Sequence, residues 1–296
     1  MKRNIKIIWH IGKMKTASTF LQRKVFPNIK NIYFLGWYTK QSTIGWSDQI
    51  VREFVHYIRF SKSFDIKNDK IKNFFIYVKE IKKDILISEE GIGTDIGNTK
   101  RNIDRISQLN IENKIIISIR KQDDYLLSQY FQYRRGVFGN KKTPHISLEE
   151  WISKNISGLV AEADYSIILD YLIKIFIKKN ILIIPYEFLI FDPKEYSIRI
   201  GKFINASHDL SSFILQNEKQ HVSNPKNFPI ISKIINDHRV TRFTSKIPLL
   251  NRYVFTNYSS NEVNLILRRF GISFKNSNRY INREYKLNLE KLGYSL

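Results

Sequence analysis

The chain has 296 residues, of which 43% are hydrophobic and 14% aromatic, so it can form a folded core and is not a disordered chain. It contains no cysteine, which excludes disulfides, thiolate metal sites and cysteine nucleophiles. The formal net charge of +22 favours an anionic partner, namely nucleic acid, anionic lipid, acidic glycan or nucleotide. The Ile-, Asn- and Lys-rich composition that an AT-rich genome encodes explains this charge equally well.

No apolar run approaches the roughly 18 to 20 residues that span a bilayer, and the apolar stretch near the start is too short for a signal peptide. The six histidines form no cluster typical of a metal site. We therefore expect a cytoplasmic protein without a metal ion. The positive charge leaves open a peripheral contact with an anionic membrane surface at the inner face of the membrane.

Short apolar runs alternate along the chain with longer amphipathic stretches, a pattern typical of α/β domains with a mostly parallel sheet. The predicted strands are Ile5–Ile11, Asn31–Leu35, Asp84–Ser88, Lys114–Ile119 and Ile181–Ile184. The predicted helices are Ser18–Val25, Ser47–Phe60, Ile71–Ile81, Thr99–Leu109, Asp123–Arg134, Ser147–Ser153, Tyr165–Lys178 and Pro193–Ile204. We predict one three-layer α/β domain over residues 1–296, with a core at about 5–204 and a mainly helical extension, 205–296, packed on it.

The segment after the first predicted strand has the features of a phosphate-binding loop. A strand that ends at a glycine and opens into a helix directs backbone N–H groups and the positive end of the helix dipole at one point. Gly12 permits the close turn, Lys15 adds a positive charge, and hydroxyl groups follow at Thr16, Ser18 and Thr19. Lys15 follows Gly12 by only three residues with no second glycine between them, so the Walker A spacing of ordinary ATPases and GTPases is not met.

The same segment resembles the 5′-phosphosulfate loop of the sulfotransferases that use 3′-phosphoadenosine 5′-phosphosulfate (PAPS), whose common form is H-I-G-x-x-K-T-G-T-T-x-L-Q. The matching residues are His10-Ile11-Gly12, Lys15-Thr16, Thr19 and Leu21-Gln22. Ala17 stands in place of the usual glycine, and Ser18 in place of a threonine. Because alanine disfavours a positive φ, we expect the backbone at Ala17 to depart from the path of the family.

The resemblance also implies that the 3′-phosphate of PAPS binds an arginine at the end of a strand and a serine eight residues later. Arg120 and Ser128 have this spacing. Arg120 would leave the carboxyl edge of the sheet, where ligands of open α/β sheets bind. The resemblance continues more weakly to about residue 204, through the helix near Tyr165 and through residues 184–193, which resemble a strand and turn of the family. Residues 217–225 resemble a nucleotide-proximal loop only vaguely.

What the resemblance implies is a P-loop-like fold and an enzyme, similar to bacterial members that act on cell-surface glycans. It would move a sulfuryl group in line from PAPS to a hydroxyl or amine of a saccharide or glycolipid, leave 3′-phosphoadenosine 5′-phosphate (PAP), and need no metal. Lys15 would neutralise charge on the departing phosphate, and Glu90, after the third predicted strand, would be the base. Glu89 and His10 stay open as alternative bases. If the extended path continues past the strand, Glu89 and Glu90 point to opposite sides, and only one faces the cleft.

The sequence does not identify the acceptor. The loop at residues 136–145 and the aromatic residues Trp37, Tyr38 and Trp46 are candidates for a sugar-binding cleft, although core packing explains each aromatic residue as well. Two alternatives to sulfuryl transfer remain: a phosphate-loop nucleotide kinase, and a nonenzymatic basic nucleic-acid-binding protein suggested by charge alone. Because no RNA- or DNA-binding motif is present, we expect no specific nucleic-acid partner.

Overall fold

The computed structural model describes residues 5–36, 48–134, 146–215 and 258–296. These residues form two compact units, and each is described by itself. The first unit contains the described residues up to 121, residues 164–215 and residues 275–296. The second contains residues 122–134, 146–163 and 258–274.

The first unit contains one sheet of five strands, all parallel, in the order β2-β3-β1-β4-β5. The strands are β1 (Lys6–His10), β2 (Ile32–Gly36), β3 (Asp84–Ser88), β4 (Glu112–Ile119) and β5 (Ile181–Pro185). They are rich in isoleucine, and all five positions of β3 are buried, as expected for a parallel sheet covered on both faces. The predicted α/β fold is confirmed, and the sheet that the sequence indicated as mostly parallel is parallel throughout.

Twelve α-helices are present in the described ranges. In chain order they are α1 (Ser18–Phe20), α2 (Gln49–Phe60), α3 (Asp69–Ile81), α4 (Ile96–Ser107), α5 (Gln122–Arg134), α6 (Leu148–Ala163), α7 (Tyr165–Ile175), α8 (Tyr186–Phe191), α9 (Pro193–Ile204), α10 (Ser211–Leu215), α11 (Ser260–Arg269) and α12 (Lys275–Tyr285). Helix α1 continues directly into a π-helical turn, Leu21–Val25, and a 3₁₀ turn, Phe26–Asn28. Further 3₁₀ turns are Glu90–Ile92, Lys178–Asn180 and Leu289–Leu292.

Short polar side chains mark where several helices begin. At five helix starts of the first unit the side chain of the preceding residue accepts a hydrogen bond from a backbone N–H of the first turn, which satisfies a group that has no partner inside the helix. These capping residues are Asp48, Asn68, Asp95, Asp164 and Asp192.

The sheet of the first unit is flanked by helices. Helix α2 packs against α3 and α4, α4 against α7, and α7 against α12, while α9 packs against β5 and α10. The apolar face of α2 illustrates the packing: the Phe54 ring stacks on Phe74 with centroids 3.8 Å apart and lies 6.0 Å from the Trp9 ring of β1. This packing connects α2 to the strand that precedes the candidate loop.

Several helices differ from their predicted extents; α1, for example, ends at Phe20 and α4 begins at Ile96. Residues 184–193, which were expected to resemble a strand and a turn, contain the end of β5 and then α8, a helix that has Pro185 at its N-cap and packs on β5 and α9. Helix α6 runs ten residues past the predicted end at Ser153, to Ala163, and Asp164 then caps α7. Helix α7 ends at Ile175 instead of Lys178. Tertiary packing and caps decide these boundaries more strongly than local composition does.

The second unit has a core of its own, formed by α5, α6 and α11. Tyr130 packs against Trp151 with ring centroids 5.6 Å apart, and its hydroxyl donates to the Ile146 carbonyl at 2.9 Å. Between α11 and α5, the Asn264 amide donates to Asp123 Oδ2 at 2.7 Å. Helix α11 begins with a capping box formed by Ser259 and Glu262.

The region predicted as a helical extension, residues 205–296, contains α10, α11 and α12 among its described residues. Ile281 and Leu289 are buried in the core of the first unit, whereas Val263 belongs to the core of the second. One domain for the whole chain stays a prediction. None of the helices in the described ranges is both long and apolar enough to cross a membrane.

Candidate functional site

The candidate site lies at the carboxyl edge of the sheet, where the segments that follow β1, β3, β4 and β5 leave the strands. His10, the last residue of β1, is in register with Ser88, the last residue of β3. The Glu89 N–H continues this pairing by donating to the His10 carbonyl at 3.0 Å, and the Lys13 N–H donates to the Ser118 carbonyl of β4 at 3.3 Å. The loop after β1 is therefore held between β3 and β4, at the edge where open α/β sheets bind ligands.

Two residues of the loop adopt the left-handed conformation: Lys15 with φ 66° and Ala17 with φ 65°. The expectation that Ala17 would avoid a positive φ was wrong. Each such residue costs about 1 to 2 kcal/mol, and the surrounding hydrogen bonds offset that cost. The Thr16 hydroxyl donates to the Lys13 carbonyl at 2.5 Å, and the Leu21 N–H donates to the Ala17 carbonyl at 3.0 Å. These closures fix the path of the loop regardless of the preference of alanine.

The loop conformation produces a concave set of backbone N–H groups. Ala17 is left-handed (φ 65°, ψ 20°), and the right-handed helix α1 follows it at once. Successive residues of opposite hand point neighbouring N–H groups toward one centre, which is an arrangement that binds anions. Lys15 and Thr19 are exposed beside this concavity, while Thr16 and Ser18 are buried. The Thr16 hydroxyl proton is used inside the loop, so the predicted hydroxyl donors that remain are Ser18 and Thr19.

Position 12 requires glycine, because a side chain there would collide with His10 and Ser118. A Cβ at this position would lie 2.8 Å from His10 Nε2 and 3.2 Å from Ser118 Cβ. The His10 ring fills the space between two strands, with Nδ1 2.7 Å from Ser88 Oγ and Nε2 3.0 Å from Ser118 Oγ. Gln22, on the π-helical turn, donates to Ser88 Oγ at 3.0 Å. Complete burial lowers the pKa of His10 to about 3, so the ring is neutral, and both of its nitrogens lie within hydrogen-bond distance of strand hydroxyls.

Glu89 and Glu90 have different surroundings. Glu89 Oε1 accepts from Arg59 at 2.8 Å and from the Gly91 N–H at 2.9 Å, which fixes its carboxylate in an ion pair. Glu90 interacts instead with Ser18 and Lys15 of the loop. Burial raises the pKa of Glu90, and the nearby Glu89 charge raises it further, against the opposing effects of Ser18 and Lys15. A carboxylate with a raised pKa beside the loop suits a general base that operates near neutral pH.

The turn that carries Glu90 touches the loop directly. A Cβ at Gly93 would lie 2.3 Å from the Ile11 carbonyl oxygen, so only glycine allows the turn after β3 to pack this closely on the segment after β1. Arg59, which holds Glu89, was not predicted from the sequence, because an arginine near the end of α2 resembles an ordinary surface charge.

Arg120 follows β4 and reaches the loop. Its Nη1 donates to the Lys15 carbonyl at 3.2 Å, and its guanidinium lies 5.0 Å from the centre of the Tyr186 ring. Its Nε is buried and makes no hydrogen bond with the described residues. Ser128, the predicted partner of Arg120, lies on α5 in the second unit, where its hydroxyl donates to the Tyr125 carbonyl at 2.8 Å. The shared role of Arg120 and Ser128 stays a prediction.

Several side chains around Arg120 were not predicted from the sequence. Tyr165 contacts the Arg120 backbone, Glu187 accepts from the N–H of the next residue, and Tyr294 donates to Glu187.

Other predicted features lie outside the described residues: Trp37, Tyr38 and Trp46, and residues 136–145 and 217–225. Within the described ranges, no three His, Asp or Glu side chains are grouped as a metal site requires.

Comparison with known proteins gives one family and several similar structures. A family model for the sulfotransferase domain matches residues 7–248. The chain is similar to a sulfotransferase from Alicyclobacillus acidocaldarius, with a TM-score of 0.47 and 13% identity, covering 88% of this chain and 99% of that one. It is also similar to mouse sulfotransferase SULT7A1 complexed with PAP, with a TM-score of 0.46 and 16% identity, covering 97% of this chain and 89% of that one. None of the curated proteins compared with the chain matches it.

Proposed function

The chain belongs to the sulfotransferase domain family, and from this membership we propose that it transfers a sulfuryl group from PAPS to a hydroxyl of a saccharide or glycolipid acceptor. An amine is the alternative acceptor group. The observation that carries the proposal is the position of Glu90, whose carboxylate interacts with Lys15 and Ser18 of the anion-binding loop. An anion cradle and a candidate base thus belong to the same site.

The residues at the site fit the donor. Ser18 Oγ is buried in the loop beside the Glu90 carboxyl, and its interaction with that carboxyl lowers the pKa of Glu90. Arg120 Nε is a buried group without a hydrogen-bond acceptor in the described part of the chain. Buried polar groups of this kind are costly unless a partner satisfies them. We propose that the phosphosulfate end of PAPS binds the loop from Gly12 to Thr19, and that Arg120 with Ser128 binds the 3′-phosphate.

The donor supplies the sulfuryl group, and the chain supplies a base and positive charge. Glu90 accepts the proton of the acceptor hydroxyl as the acceptor oxygen forms its bond to sulfur. Lys15 neutralises the charge that develops on the phosphate as the bond between sulfur and its bridging oxygen breaks, leaving PAP. The proton on Glu90 then passes to solvent. The scheme requires no metal ion.

The acceptor proposal rests on charge and on the family resemblance of the loop. A net charge of +22 attracts anionic surfaces, which include acidic glycans and anionic lipid headgroups. A glycolipid among anionic lipids presents a saccharide and a negatively charged surface together. We therefore propose that the protein meets its acceptor peripherally, at the membrane surface. Incubation of the protein with labelled PAPS and separate saccharide and glycolipid fractions tests this directly. Transfer of label to neither class contradicts the acceptor assignment.

The donor site is tested by calorimetric titration with PAP. We expect wild-type protein to bind, and Lys15→Ala and Arg120→Ala each to weaken binding at least tenfold, because a charge-assisted contact is worth about 1.5 to 3 kcal/mol. Lys72→Ala is the matched control, since Lys72 is exposed on α3 and forms an ion pair with Asp69, three positions away on the same helix. Equal binding by all four proteins contradicts the site. Magnesium-dependent nucleotide hydrolysis without PAP binding would instead support a kinase.

A further inference from the structure

The peptide groups that follow β4 are held by side chains from distant parts of the sequence. The Tyr165 hydroxyl donates to the Arg120 carbonyl at 2.7 Å and accepts from the Arg120 N–H at 3.4 Å. The next N–H, that of Lys121, donates to Glu187 Oε1 at 2.8 Å. Two consecutive peptide groups at the end of the strand are therefore fixed by Tyr165 and Glu187.

The second oxygen of Glu187 is fixed by the last segment of the first unit. The Tyr294 hydroxyl donates to Glu187 Oε2 at 2.7 Å, although 107 positions separate the two residues. Glu187 is 5% exposed and Tyr294 3% exposed, so water does not compete for this hydrogen bond. Burial raises the pKa of Glu187, while the Lys121 N–H, the Tyr294 hydroxyl and the Arg120 charge oppose that rise. The carboxylate thus has a defined partner on each oxygen.

The geometry points to Tyr165 and Tyr294 as positioning residues for Arg120, with Tyr294 acting through Glu187, so that the guanidinium keeps the orientation that it has beside the Tyr186 ring. This inference rests on the proposed function, because it assigns the arrangement to recognition of the 3′-phosphate. Neither tyrosine needs to touch the nucleotide. Each restrains the backbone from which the Arg120 side chain extends toward Lys15 and Tyr186.

Restraint matters here because of the nature of the arginine side chain. Arginine has many rotamers, and its planar group binds phosphate well only when it is already oriented. A loosened backbone at Arg120 lowers the affinity for a ligand that uses the guanidinium and leaves the affinity for other ligands unchanged. Affinity for a nucleotide with a 3′-phosphate, compared with affinity for one without it, separates positioning from a general loss of structure.

The test uses substitutions that remove one hydroxyl and no charge. Tyr294→Phe and Tyr165→Phe each remove one of the hydroxyls that hold the backbone at Arg120. Tyr285→Phe is the matched control, since the Tyr285 hydroxyl has no hydrogen-bond partner among the described residues. We expect Tyr294→Phe and Tyr165→Phe to bind PAP about tenfold more weakly and adenosine 5′-monophosphate as wild type does. Tyr285→Phe should bind both as wild type does. Thermal melting of each variant checks the fold, and Tyr165→Phe serves if Tyr294→Phe does not fold.

A double-substitution cycle makes the test specific to Arg120. In the Arg120→Ala background, Tyr294→Phe should cause no further loss of PAP affinity, because the group that it positions is already gone. A loss of the same size in that background overturns the inference, as does wild-type affinity in both tyrosine variants. Equal weakening for PAP and adenosine 5′-monophosphate also overturns it. Wild-type protein that binds no PAP overturns the proposed function and this inference together, whereas the other outcomes leave the proposed function standing.

Discussion

Replacement of Glu90 by glutamine separates the chemistry of the candidate site from its ligand binding. The substitution keeps the size of the side chain and removes its ability to take a proton. Because Lys15, Ser18 and Arg120 remain, we expect PAP binding close to that of the wild type. Loss of a general base reduces turnover by about 10² to 10⁴-fold, or about 3 to 5 kcal/mol in the barrier.

The same substitution should stabilise the fold near neutral pH. Burial raises the pKa of Glu90, so between the ordinary glutamate value and the raised one the folded protein binds more protons than the unfolded chain. The free energy of unfolding therefore falls as pH rises through that window, and the penalty is complete above the raised pKa. Glutamine carries no charge and removes the penalty. Glu90→Gln should accordingly unfold at a higher urea concentration than wild type at pH 7.5, with a smaller difference at pH 4.

Transfer of labelled sulfate, urea denaturation and PAP titration measure the three effects. Glu89→Gln is the control for turnover, because the Glu89 carboxylate is held in an ion pair by Arg59. We expect Glu89→Gln to lose much less activity than Glu90→Gln. In wild type, kcat/KM should rise with pH through an acid limb whose midpoint lies above the ordinary Glu value of about 4.3. Unchanged turnover in Glu90→Gln, or a larger loss in Glu89→Gln, would refute the assignment of the base.

Three further changes test the loop. Ala17→Gly should raise the free energy of unfolding by about 0.5 to 1 kcal/mol in urea denaturation, because glycine accepts φ 65° without strain but gains freedom in the unfolded chain. His10→Asn should make the free energy of unfolding less dependent on pH between about 3 and 6.5. Burial lowers the pKa of His10 from 6.5 to about 3, so only the unfolded chain takes up a proton between these values. The free energy of unfolding of wild type therefore falls by up to about 1.4 kcal/mol per pH unit as pH falls in that window. A variant with the slope of wild type contradicts this account. Ser18→Ala should weaken PAP binding about tenfold in calorimetric titration, because its buried hydroxyl lies in the anion-binding loop beside Glu90.

The sheet could be predicted from the sequence because its strands are isoleucine-rich runs whose burial leaves little choice of conformation. Helix α8 could not, because residues 186–191 are mostly aromatic and aliphatic and their composition favours a strand. Packing on β5 and the entry at Pro185 reverse that preference. Local pattern therefore sufficed for elements that are buried on both faces and failed where tertiary contacts decide.

The same distinction between local sequence pattern and tertiary contacts applies to the candidate site. Lys15 and Ser18 could be named as candidates because they belong to one short motif, whereas the different surroundings of Glu89 and Glu90 arise where the extended strand gives way to the 3₁₀ turn Glu90–Ile92. Tyr294 could not be found, because its partner Glu187 is 107 positions away and a tyrosine near a chain end carries no local signal. The left-handed Ala17 was mispredicted for a similar reason, since the contacts that hold it come from the closure of the loop and not from its own preference.

The strand order has a consequence for how the chain acquires its structure during synthesis. Strand β1 pairs with β3 and β4 but not with β2, so its first neighbour emerges from the ribosome only at residues 84–88 and its second only at residues 112–119. Parallel pairing over such separations is slow, and an unpaired isoleucine-rich strand is prone to aggregate until its neighbours arrive. The anion-binding loop is thus translated before the two strands that hold it, and the yield of folded protein in cells depends on the protection of β1 during that interval.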